Sequence, residues 1–172
     1  MPLVFVPEGP FEVPVEHLPR GRRIAASRQM REFWERVGDD IAGAKGVYLF
    51  AMRAGRGFTP YYVGKAARQP FLRECYTPDK RNKFNAALAH QRGTPVIIFL
   101  PSPLRRGRTN LPAIAALEQE MIQYGYEKNP RLLNIHHASD PPKWNVQGVL
   151  RGGRGRRSEA AKAALKMMAI PR

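Results

Sequence analysis

Tyr48, Tyr62, Lys65, Arg73, Glu118 and Asn134 are the side chains of this 172-residue chain whose types and order can do chemistry. A phenol can orient or deprotonate water, and an arginine fork can grip phosphate oxygens. One carboxylate can hold a single hard divalent ion, magnesium or manganese, with water and substrate oxygens filling its other positions. Hydrolysis of a phosphodiester needs such a set: a base for the water, a cation at the phosphoryl oxygens and leaving group, and donors that hold the phosphate in line.

The elements that must position these groups begin with residues 46–65. Gly46-Val47-Tyr48-Leu49-Phe50-Ala51-Met52 and Tyr61-Tyr62-Val63-Gly64-Lys65 are rich in β-branched and aromatic residues. A basic connector over 53–60, with Gly55, Gly57 and Pro60, separates them, which predicts a hairpin. In an antiparallel pair, a tyrosine early in one strand and another late in the next can share a face and a sheet end. The plain alternative is that both rings simply pack a core. Gly64 marks a place where backbone approaches another group closely.

Residues 1–20 carry five prolines, and they predict an extended arm in place of a helix. Ile24, Met30, Phe33, Trp34 and Val37 among five arginines predict an amphipathic helix over 24–37. Helices follow over 66–76 and 81–90, split by Pro78, and 95–101 is an apolar run suited to a central strand. Pro112 opens a helix carrying Ile114, Leu117, Met121 and Ile122, ending near Gly125; its spacing leaves the direction of Glu118 open. A Gly/Arg-rich linker over 151–157 and a capped helix from Ser158 to about Met168 complete the chain.

The 29 lysines and arginines outweigh 14 acidic residues for a net charge of +15, so nucleic acid is the leading partner by charge. DNA is the expected form, and RNA carries the same backbone charge. Candidate backbone contacts are Arg68, Arg105, Arg106, Arg108, Arg151, Arg154, Arg156 and Arg157. No long helix pairs a basic face with a broad apolar one, which disfavours a membrane partner. The single Cys75 allows no internal disulfide, and no charged segment leads into a long apolar run. The expected setting is therefore intracellular, cytoplasmic or associated with the nucleoid.

Gly46-Val47-Tyr48, Tyr62-Val63-Gly64, Phe71-Leu72-Arg73, Leu117-Glu118 with Met121-Ile122, and Arg131-Leu132-Leu133-Asn134 stand in an order that resembles the GIY-YIG nuclease superfamily. The resemblance covers roughly residues 46–134, with valine for isoleucine in both tyrosine motifs and a somewhat long connector. It implies an α/β (α+β) fold with a small, three-stranded, mostly antiparallel sheet flanked by helices. It also implies a metal-dependent endonuclease in which Tyr48 or Tyr62 is the base. Arg73 would contact the scissile phosphate, Glu118 would hold magnesium or manganese, Asn134 would brace the site, and Lys65 would add a phosphate contact. The expected organisation is an arm and basic helix over 1–40, a core over 41–145 and a basic tail over 146–172.

Competing readings narrow the set. Glu120 stands two positions from Glu118, so the two cannot face the same way on a helix. Gly64-Lys65 is not a phosphate-binding P-loop, because the earlier glycine is missing and alanine follows the lysine. Cys75 with His90, His136 or His137 is a weaker nucleophile–base set, and the two adjacent histidines lack partners at metal spacing. The alternative from another class is a non-catalytic nucleic-acid-binding protein that keeps the fold and the charge.

Overall fold

In the computed structural model the described residues are 3–104, 108–134, 158–160 and 163. The chain separates into two compact units, 1–139 and 140–172, and the site candidates that can be placed belong to the first. Arg105, Arg106, His136, His137, Arg151, Arg154, Arg156, Arg157 and most of the expected C-terminal helix lie outside the described residues.

The fold is mixed α/β, with a four-stranded antiparallel sheet, a separate two-stranded sheet and five helices among the described residues. The strands are β1 (Glu8–Glu12), β2 (Val15–Leu18), β3 (Gly21–Ile24), β4 (Gly46–Ala54), β5 (Gly57–Ala66) and β6 (Thr94–Pro101). The helices are α1 (Ser27–Val37), α2 (Asp39–Ala42), α3 (Phe71–Glu74), α4 (Pro78–His90) and α5 (Leu111–Lys128). The main sheet runs β1-β6-β4-β5, with β2 and β3 pairing beside it as a hairpin.

The expected three strands are therefore present as β4, β5 and β6, and a fourth is added. Part of the proline-rich arm pairs with β6 as β1, an edge position where Pro10 can be tolerated because an edge strand need not donate every amide. The connector expected over 53–60 shrinks to a two-residue turn at Gly55 and Arg56, because β4 and β5 stay paired out to Ala54 and Gly57. Gly55 has φ +57°, the left-handed conformation that tight hairpin turns demand. The helix expected over 66–76 is only α3, since β5 runs on to Ala66 and Pro70 caps a single turn. The first helix starts at Ser27 because β3 claims Gly21–Ile24.

Alternation along the strands divides the core in two. Tyr48, Phe50, Tyr62, Ile97 and Phe99 face one side, where Phe33 of α1, Phe71 of α3 and Phe84 of α4 cover them. Val47, Val63, Leu100, Leu49 and Ile98 face the other, where Ile114 and Ile122 of α5 and Leu132 pack. Phe84 stacks on Phe50 with ring centroids 4.1 Å apart and meets Tyr62 edge-on at 5.9 Å. Burying each such ring contributes about 2 kcal/mol.

Pro78 occupies the first turn of α4, where a missing amide hydrogen costs little, and so starts that helix. Asn110 caps α5 by accepting the Ala113 amide at 3.0 Å. Among the described residues no helix is long and apolar enough to cross a membrane.

Candidate functional site

The last residues of β5 gather most of the candidates. Tyr48 on β4 stands directly opposite Gly64, and Tyr62 lies two residues before Gly64, so the two phenols share the aromatic face with centroids 6.2 Å apart. Gly64 is required there: a Cβ would sit 2.3 Å from Tyr48 Cζ and 2.4 Å from its hydroxyl. The close approach that the glycine signals is thus its cross-strand neighbour's ring. A bulge between Phe50 and Ala51 places Tyr61 as the extra residue of β5, since Phe50 pairs with Tyr62 and Ala51 with Pro60.

Tyr48 is fully buried, and its hydroxyl finds no hydrogen-bond partner among the described residues. Burial holds its pKa well above the ordinary 10.0, and the negative fields of Cys75, Tyr62, Glu74 and Glu118 add to that shift. The phenol therefore stays protonated near neutrality. Phe71 closes the neighbouring wall, its ring edge-on to Tyr48 at 6.3 Å, and so sets where α3 lies. Arg73, two residues on, is exposed on that single turn.

Residue 65 alternates to the aliphatic face, where α5 packs. Lys65 Nζ donates to Glu118 Oε2 at 2.6 Å; the carboxylate side chain is 14% exposed and the lysine 43%. The direction of Glu118, open in the sequence, is thereby toward the end of β5. Asn134 makes a two-point clamp on Val63, donating from Nδ2 to its carbonyl at 2.7 Å and accepting its amide at Oδ1 at 2.9 Å. Leu133 donates its amide to the Tyr61 carbonyl, and Asn129 donates from its side chain to the Pro60 carbonyl at 2.7 Å. Residues 129–134 thus run along the outer edge of β5 as a surrogate strand.

Sequence reasoning missed Lys80 and Lys83. Both lie on α4 with Nζ 5.3 Å from the Tyr62 ring centroid, and both donate to Asp79 Oδ2, at 3.3 Å and 2.8 Å. Burial opposes the charge of Lys80, but bonding to the Tyr62 hydroxyl and to Asp79 outweighs it and raises the pKa above 10.5. The available signal was two lysines three apart just after Pro78-Asp79, one side of a helix's first turns. Arg68 and Arg108 are exposed. Cys75 is buried, its thiol pKa pushed well up by burial, which removes it as a thiolate nucleophile.

Among the described residues no three His, Cys, Asp or Glu side chains group to hold a metal ion. A lone, partly open carboxylate such as Glu118 fits only an ion that draws its remaining ligands from water and substrate, as magnesium does. No family model, curated protein or solved structure matches the chain.

Proposed function

We propose that this protein is a metal-dependent nuclease that hydrolyses phosphodiester bonds of DNA, in the manner of the GIY-YIG enzymes its motifs resemble. One observation carries the reading. Residues far apart in sequence converge on the four-residue stretch 62–65: Tyr48 lies over Gly64, Glu118 bonds Lys65, and Asn134 clamps Val63 beside Tyr62. The net charge of +15 supplies long-range attraction for the substrate.

Of the two phenols, Tyr62 is the one assigned to the attacking water. Tyr48 is fully buried and held neutral, whereas Tyr62 is 6% exposed and its ring borders the lysines of α4. Asn134 fixes the strand that carries Tyr62 by its two hydrogen bonds to the Val63 backbone. Arg73, exposed on α3, offers its fork to the phosphate. A divalent ion on Glu118 would supply charge stabilisation at the phosphoryl and leaving oxygens. Lys65, which donates to Glu118 at 2.6 Å, would offer its ammonium to a phosphate oxygen wherever the carboxylate is taken up by such an ion.

That same Lys65–Glu118 pair favours the second reading, a nucleic-acid-binding protein without turnover, because the carboxylate is already neutralised by the chain's own cation. Incubating wild type and Glu118→Ala with supercoiled plasmid, single-stranded DNA and RNA, each with magnesium, manganese or chelator, separates the two. The nuclease reading expects metal-dependent products from wild type and a loss of about a thousandfold in rate for the variant, the scale of removing a metal's charge stabilisation. Cleavage that survives Glu118→Ala unchanged overturns the site. Salt-sensitive binding with no products on any substrate overturns the nuclease.

A further inference from the structure

We propose that Lys80 and Lys83, over the face of Tyr62, form a phosphate-binding subsite whose resting occupant is the Asp79 carboxylate. A single oxygen, Asp79 Oδ2, accepts from both ammonium groups. One oxygen between two lysine nitrogens is the contact that a phosphate oxygen makes with a lysine pair, so Asp79 holds the place of an anion supplied from outside.

The two sides of this cluster are differently exposed. The lysine side chains are only 18% and 26% exposed, packed by their stems along α4 and over the Tyr62 ring, and so stay in place when their anion changes. Asp79 is 63% exposed on a short side chain in the first turn of α4, free to rotate into water. Exchanging it for a phosphate costs little, because the Asp79 carboxylate is already largely in water and its attraction to the lysines is screened there. One phosphate oxygen then gains two charge-assisted donors, at the place where Asp79 Oδ2 now takes both. In the resting state Tyr62 and Asp79 hold the Lys80 proton against the opposing effect of burial.

The bland reading is that Asp79 only favours the positive end of α4 and ties two solvated lysines. It predicts no gain when Asp79 is neutralised. The subsite adds to the proposed nuclease without depending on turnover, so its test is done in chelator, where hydrolysis plays no part.

With 13C-labelled lysine, the full-length protein is titrated with inorganic phosphate and, separately, with a short single-stranded oligothymidylate. The expected result is saturable shifts of the Lys80 and Lys83 Cε signals. Shifts with the oligonucleotide alone identify a phosphodiester in a strand as the ligand; shifts of equal affinity with phosphate identify the free ion. Asp79→Asn tightens binding about threefold. Lys80→Gln with Lys83→Gln weakens it about tenfold and lowers the slope of log K against log salt by about two, one per lysine lost. Lys80→Arg with Lys83→Arg restores most of the affinity and shows that the paired charge, and not the packing, is responsible. Unchanged binding in Asp79→Asn, or lysine signals that do not move with either ligand, overturns the proposal.

Discussion

The two faces of the main sheet solve different problems. The aromatic face buries Tyr48, Tyr62, Phe50, Phe71, Phe84 and Phe99 and encloses hydroxyls, those of Tyr48 and Tyr76, that find no partner among the described residues. The aliphatic face packs smaller side chains against α5 and keeps its charge at the rim, as the pair of Lys65 and Glu118. The first is filled by rings, with the lysines of α4 at its margin over Tyr62, the second carries the Lys65–Glu118 pair, and they meet at the end of β5. A site assembled this way can hold a phenol rigidly on one side and leave a cation exchangeable on the other.

The sharpest way to break that contrast is to add volume where space governs. Gly64→Ala puts a Cβ into the Tyr48 ring, with backbone on one side and a fully buried side chain on the other. The expected cost is about 3 kcal/mol, read by urea denaturation, at the upper end of overpacking penalties. A wild-type stability would show that the ring swings aside and that the aromatic face is looser than described.

Alkali should also act on the aromatic face alone. Cys75, Tyr48 and Tyr76 have pKa values raised by burial above their ordinary 9.0, 10.0 and 10.0. The unfolded chain therefore loses these protons first, and stability present below pH 9 falls as pH rises through that value and beyond. The slope reaches about 1.4 kcal/mol per pH unit for each group that has ionised only in the unfolded state. Cys75→Ala should delay the onset toward pH 10, measured by melting temperature across the range. An onset that does not move would remove Cys75 as its cause.

The smallest effect belongs to the charged rim. Lys65→Met breaks a pair in which the lysine is 43% exposed, so the expected stability change without metal is about 0.5 kcal/mol. A change several times larger would mean that the pair is a structural member of the aliphatic face and not an exchangeable occupant of Glu118.

The sequence showed the hairpin and the facing of its tyrosines because their alternation is local. The central run 95–101 was equally plain, since apolar residues bounded by prolines define a short strand. What stayed hidden depended on distant partners. Nothing in Phe58-Thr59-Pro60 says strand until β4 offers its edge, so glycine and proline read as loop. The arm became β1 only because β6 had a free side. Glu118 took its direction from Lys65, 53 residues away, and the lysines of α4 found Tyr62 through tertiary packing. Pro78 was visible as a breaker, but its role as the start of α4 depends on which side of it the helix lies.

The clamp of Asn134 on Val63 has a consequence for how the sheet meets other sheets. Unpaired strand edges invite pairing between molecules. Here the β5 rim is occupied by residues 129–134 through hydrogen bonds to Pro60, Tyr61 and Val63. The opposite rim, β1, carries Pro10, the carboxylates of Glu8 and Glu12, and a break in register between Glu8 and Phe11. A second copy approaching edge-on would find an asparagine side chain already in the ladder at one rim, and at the other a proline flanked by Glu8 and by Glu12, whose carboxylate is paired with Arg53.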